Sequence, residues 1–255
     1  MVLRGYFDEG GTHKGSPVTC VAGYLFFPEK GLAFPDKWAT ALVEAHLSPD
    51  TIFRAADRWV RRPGSPYENW TREECESLNV SLVKVICETA SLGAMSAVSS
   101  EAVEQFMAAS PGIFESEVGS RYALCLMGVL TVLGSRLDAQ NKQDAVHYIF
   151  ESGDENQLAA NQVLDEVALN STLCQRFHYG GHSFLPKTAF PHFQAADLLA
   201  WEWQQLFKSP DGELVRPSLR TLLACVPHMH QPFVGPKNIT AQAIINAFYG
   251  LGGSR

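Results

Sequence analysis

The sequence predicts an α/β domain in which helices cover a mixed β-sheet. The chain opens with two apolar-rich strands joined by a short glycine-containing loop, a connection that makes the pair antiparallel. Beyond about residue 70, strands alternate with helical stretches, the order that adds strands through helical crossovers. Across 255 residues, 46% hydrophobic and 18% charged, there is apolar material for a substantial core. No internal repeat, low-complexity tract or linker divides the chain. One domain over residues 1–255 is therefore expected, with a helical C-terminal extension from about residue 208.

Leu3 to Asp8 is the first strand, Gly10-Gly11 and Gly15-Ser16-Pro17 form the loop, and Val18 to Phe27 is the return strand. Phe34, Trp38, Leu42 and Val43 repeat at helical spacing after Pro35-Asp36. Thr51 to Val60 is ambiguous, and Arg61 to Pro66 is a loop. Thr71-Arg72-Glu73-Glu74 is a capping box that starts a helix through Leu78, Leu82 and Ile86. Leu92 to Val98 is a strand, Glu101 to Ala108 a short helix, and Pro111-Gly112 a loop. Tyr122 to Leu137 is strongly apolar and is expected to be the central buried helix. Ala145 to Phe150 is a strand that ends at Glu151. A helix over 155–169, an extended segment from Gln175 to Phe184 and a helix from Phe193 to Phe207 follow. Ser218 to Ala224 and Ala241 to Tyr249 are the last two helices.

Net charge is −7, so the chain offers no overall positive field for phosphate backbones, which argues against an obligate nucleic-acid binder. Arg54, Arg58, Arg61 and Arg62 could form a local basic patch. The first residues lack the long apolar run of a signal peptide, and no later stretch reaches about 18 charge-free apolar residues; a cytoplasmic chain with no membrane partner is expected. Cys20, Cys75, Cys87, Cys125, Cys174 and Cys225 are widely spaced, as reduced core residues are. Without secretion, the sequons at Asn69, Asn170 and Asn238 are chance matches.

Three acids stand out. Asp8 ends the first strand before a glycine turn, a position that a plain turn aspartate also takes. Glu151 closes Val146-His147-Tyr148-Ile149-Phe150, at the carboxyl end of an apparent internal strand, where open α/β sheets place ligands; a solvated strand end is the plainer alternative. Asp197 lies in the otherwise apolar helical run Phe193 to Trp201, with no cation at i±3 or i±4. A buried carboxylate without a partner costs several kcal/mol, so something must compensate it. A distant arginine would serve, and so would a metal shared with the other acids. Hard oxygen donors select Mg2+ or Mn2+ over zinc, and two such ions about 4 Å apart suit phosphodiester hydrolysis.

The segments Tyr6-Phe7-Asp8-Glu9-Gly10-Gly11, Tyr148-Ile149-Phe150-Glu151-Ser152-Gly153 and Phe193-Gln194-Ala195-Ala196-Asp197-Leu198-Leu199-Ala200 together resemble the family known as domain of unknown function 3800. That pattern opens with a strand ending in Asp-Glu-Ser-Gly and closes with a helix carrying Gln-x-Ala-Asp-Leu-x-Ala. The resemblance covers roughly residues 4 to 205 and implies a ribonuclease H-like fold and a metal-dependent nuclease or phosphodiesterase, with DNA or RNA as substrate. It places Asp8 on the first strand, Glu151 on the fourth and Asp197 on a later helix as catalytic metal ligands. Glu9 matches the opening motif too and is a further metal ligand that the resemblance implies, although strand alternation points it away from Asp8 unless the strand has already ended. Gly10 stands where the family has Ser.

Other chemistries are less well supported. His178-x-x-x-His182, His192 and His228-x-His230 could build a zinc hydrolase, but no helix enforces a shared face and no H-E-x-x-H occurs. His182 or His192 could instead serve the acids as proton carrier or phosphate contact. The loop Gly10 to Gly15 lacks phosphate-loop spacing, and no Gly-x-Ser-x-Gly elbow is present. A catalytically silent binding module on the same fold remains the alternative from a different class.

Overall fold

The computed structural model describes residues 2–13, 15–109, 120–152, 156–208 and 216–230. Six strands form one mixed sheet: β1 (Val2–Gly10), β2 (Val18–Phe26), β3 (Leu92–Ser99), β4 (Ala145–Glu151), β5 (Tyr179–Leu185) and β6 (His228–His230). Their spatial order is β5-β4-β1-β2-β3-β6. The short loop after β1 returns the chain antiparallel, with Asp8 opposite Ala22, and β3 pairs antiparallel to β2. β4 then lies parallel to β1 and β5 parallel to β4. The fold is thus a single α/β domain, with its sheet flanked by helices.

Alternation along β1 assigns the faces. Leu3 and Phe7 enter a core closed by α6 (Arg121–Ala139) and α7 (Gln157–Leu169). Tyr6 enters a second core, packed under α2 (Phe34–Glu44), α4 (Arg72–Thr89) and α9 (His192–Lys208). With helices over both faces, β2 is buried along its whole length.

Local chemistry explains the main helices. The Thr71 hydroxyl accepts from Glu74 N at 3.1 Å and the Glu74 carboxylate accepts from Thr71 N at 2.7 Å, which completes the capping box of α4. Ser120 caps α6, whose apolar residues are largely buried. That helix is long and apolar enough to cross a membrane by composition, but its apolar residues pack inside the fold.

Several elements depart from the expectation. Residues 51–60 resolve into α3 (Ala55–Val60), and a single turn, α1 (Pro28–Gly31), follows β2. The extended segment begins at Tyr179, because Asn170 accepts from Thr172 N and Leu173 N and starts α8 (Ser171–Arg176). The Asn170 sequon is a helix cap. α5 (Ser100–Ala109) agrees closely with its expected span, whereas Pro111-Gly112 and the helix over 241–249 lie outside the described residues. The chain beyond 208 is not simply helical: after α10 (Pro217–Cys225), β6 adds parallel to the open edge of β3. Gly93 admits this strand, since a Cβ there would stand 2.3 Å from the His228 ring.

Cys20, Cys75 and Cys125 are buried, but Cys87 and Cys174 are partly exposed and Cys225 is exposed; all six are free thiols. Of the four arginines, Arg54, Arg61 and Arg62 are exposed and Arg58 is not. Arg58 is buried with a guanidinium NH donating to Cys75 O, because α3 turns that side chain into the fold.

Candidate active site

Asp8, Glu151 and Asp197 come together. β1 and β4 are parallel neighbours, with Phe7 beside Phe150, so the acids one residue further on lie at adjacent carboxyl ends of the sheet. α9 packs across the same face of β1 and β2 and brings Asp197 over them. All three carboxylates meet at one atom. Lys187 Nζ lies 2.9 Å from Asp8 Oδ2, 2.9 Å from Glu151 Oε2 and 3.1 Å from Asp197 Oδ1.

Lys187 reaches this point from a short 3-10 turn, Lys187–Ala189, between β5 and α9. Its side chain is only 6% exposed. The second oxygens of two of the acids are held by backbone: Asp8 Oδ1 accepts from Glu9 N at 2.8 Å, and Asp197 Oδ2 accepts from Ala55 N at 2.7 Å. The Ala55 amide is itself positioned. Gln194, one turn before Asp197 on α9, accepts from Trp38 Nε1 at 3.0 Å and from Phe53 N at 2.8 Å, which pins the strand-like lead into α3.

The cation that Asp197 demanded is therefore neither an arginine nor a helix neighbour but a lysine ten residues upstream. Asp197 is also less buried than its apolar surroundings suggested, at 21% side-chain exposure, because it faces a cleft. That cleft, about 280 Å³, is lined by Asp8, Glu9, Thr12, Arg54, Glu151, Ser152, Lys187 and Asp197. Glu9 lines it despite strand alternation, since β1 ends one residue later. A signal for Lys187 was present: it is the only lysine between Lys142 and Lys208, within a run framed by Pro186 and Pro191.

The electrostatics follow from the crowding. Burial, with Asp197 and Glu151 nearby and Lys187 opposing, pushes the Asp8 carboxyl up to about 7. Burial would lower the Lys187 pKa, but Asp197, Asp8 and Glu151 outweigh it and hold the ammonium above the ordinary lysine value. Above about pH 7, where Asp8 is ionised too, one ammonium against three carboxylates leaves two negative charges unmatched.

Among the described residues, no three Asp, Glu, His or Cys side chains stand in metal-holding geometry. At this cluster the shared point is held by an ammonium. The donors themselves fit Mg2+ or Mn2+, being all carboxylate oxygens that already converge on one cation and carry excess charge.

The histidines do not join the cluster. His182 contacts Tyr179 and Asn161, and His178 pairs with Asp138. His192 stacks between Tyr6 and Phe34, with centroids at 4.4 and 4.6 Å, and burial lowers its pKa to about 4. Neither His182 nor His192 lines the acidic cleft, because β5 and the start of α9 turn their rings elsewhere. Compared with family models, with curated proteins and with solved structures, the chain matches none.

Proposed function

We propose that this protein is a ribonuclease H-like, divalent-metal-dependent phosphodiester hydrolase acting on nucleic acid. One observation carries the reading: three carboxylates from β1, β4 and α9 reach a single cation position within 3.1 Å. Placement on the first strand, the fourth strand and a later helix is the placement that the resemblance to the domain of unknown function 3800 family implies, which supports the same reading.

Asp8, Glu151 and Asp197 would hold Mg2+ or Mn2+, with Glu9 beside them in the cleft wall. When bound, such an ion supplies Lewis acidity at the phosphoryl group and lowers the pKa of water for attack. The chain's own groups do the rest. Backbone N–H donors from Glu9 and Ala55 fix the orientation of Asp8 and Asp197, so the oxygens facing the cleft are preorganised. Arg54 on the cleft wall offers a planar fork suited to phosphate. An acidic chain with an acidic cleft repels phosphate on its own, which makes a cation a condition for substrate approach.

A second reading has one observation in its favour. Lys187 satisfies all three carboxylates without a metal, as a catalytically silent binding module would allow. Cleavage of single-stranded, duplex and hybrid nucleic acids with Mn2+ separates the two. The expected result is cleavage by the wild type that chelation stops and that Asp197→Asn reduces at least about 100-fold. Activity surviving Asp197→Asn overturns the catalytic assignment, and no cleavage of any substrate favours the binding module.

A further inference from the structure

We propose that Lys187 is a displaceable occupant of the divalent-cation position, so that its ammonium and a metal ion compete for the same three carboxylates. The inference rests on the metal-dependent reading above and adds a residue which that reading did not contain. Nζ is within hydrogen-bond distance of one oxygen from each acid, and among the described residues no other group brings these three side chains to a common point. A divalent ion sits about 2.0–2.6 Å from carboxylate oxygens. Bound to the same oxygens, it would overlap the ammonium position, and two cations at that separation repel strongly in a partly buried cleft. Occupancy is therefore exclusive.

Charge favours the exchange. With all three acids ionised, the ammonium leaves two negative charges unmatched, whereas a divalent ion in its place leaves one and releases the lysine. The mechanics are simple as well. Lys187 is carried on a single 3-10 turn between Pro186 and Phe190, and its four rotatable side-chain bonds let Nζ leave without moving β5 or α9. The cleft of about 280 Å³, with Thr12, Ser152 and Arg54 on its walls, gives the ammonium room beside the acids, where a phosphate of the substrate would lie. Lys187 then has two positions: it holds the acids together before metal binds, and it faces the substrate afterwards. The metal affinity of the wild-type protein is set by both.

Mn2+ binding by calorimetry to the wild type and to Lys187→Met tests this directly. The expected result is binding at least tenfold tighter in Lys187→Met, with the gain abolished when Asp197→Asn is added. Wild-type binding with equal or weaker affinity in Lys187→Met overturns the competition and leaves the metal-dependent reading standing. Absence of Mn2+ binding in both proteins overturns that reading and the competition with it. Binding only in Lys187→Met supports the competition in its strongest form. Because removal of the ammonium could unfold the protein, a wild-type measurement stands beside it: the Lys187 15Nζ resonance followed during Mg2+ titration. It is expected to shift or vanish along the Mg2+ saturation curve. A resonance unchanged at saturation overturns the proposal.

Discussion

Asp8 carries the electrostatic strain of the cluster. Its carboxyl titrates near 7 in the folded chain against 3.8 in an ordinary environment, so between those values the folded state holds more protons than the unfolded one. Its contribution to stability is therefore complete below about pH 3.8 and is lost as pH rises through about 7. Asp8→Asn removes that loss. Without divalent ions, the melting temperature of Asp8→Asn is expected to gain on the wild type from pH 4 to pH 7.5, by thermal denaturation; a constant offset would contradict the assignment. His192 acts with the opposite sign. With its folded pKa lowered to about 4, its stability contribution is present above about 6.5 and is lost as pH falls toward 4. Gln194 shows how a residue without a charge serves the cluster. Gln194→Leu strands the buried Trp38 and Phe53 donors and is expected to cost at least about 2 kcal/mol by urea denaturation. It would also loosen the Ala55 amide that holds Asp197.

At the scale of elements, close approaches and buried charges fix the packing. Gly134 lets α6 lie against the end of α8, where a Cβ would meet Arg176 O at 2.2 Å. Gly134→Ala is expected to destabilise by about 1–3 kcal/mol, read as a lower urea midpoint. α10 is lashed to α9 by Glu202, fully buried, which accepts from Arg216 Nε at 2.9 Å and from the Ser218 hydroxyl. Removing that carboxylate strands an arginine and a hydroxyl, so Glu202→Ala is expected to cost about 3–5 kcal/mol. The long amphipathic and capped helices were legible in the sequence, because periodicity and caps are properties of consecutive residues. α8 was not, since its Asn170 cap looked like an isolated sequon. β6 was not, since three residues carry no period.

For the molecule as a whole, the sheet divides two cores, and β1 and β2 lie at its centre, paired on both sides. Hydrogen exchange is expected to be slowest in β1 and β2 and fastest in the edge strands β5 and β6; equal protection across the sheet would contradict this order. The sequence by itself determined the α/β class, the antiparallel opening pair, the helical crossovers and the identity of the three acids. Each of these is written in neighbouring residues, as an alternation, a repeat or an unbalanced charge on an apolar face. Only the tertiary structure decided that Asp8, Glu151 and Asp197 share one cation, and that Lys187 is that cation. Strand order and the crossing of α9 over β1 set those distances, and no local pattern can encode a contact between residues up to 189 positions apart, from Asp8 to Asp197. The same physics explains the missed lysine. Desolvation required a partner for Asp197, but which cation answers depends on where folding brings a distant turn.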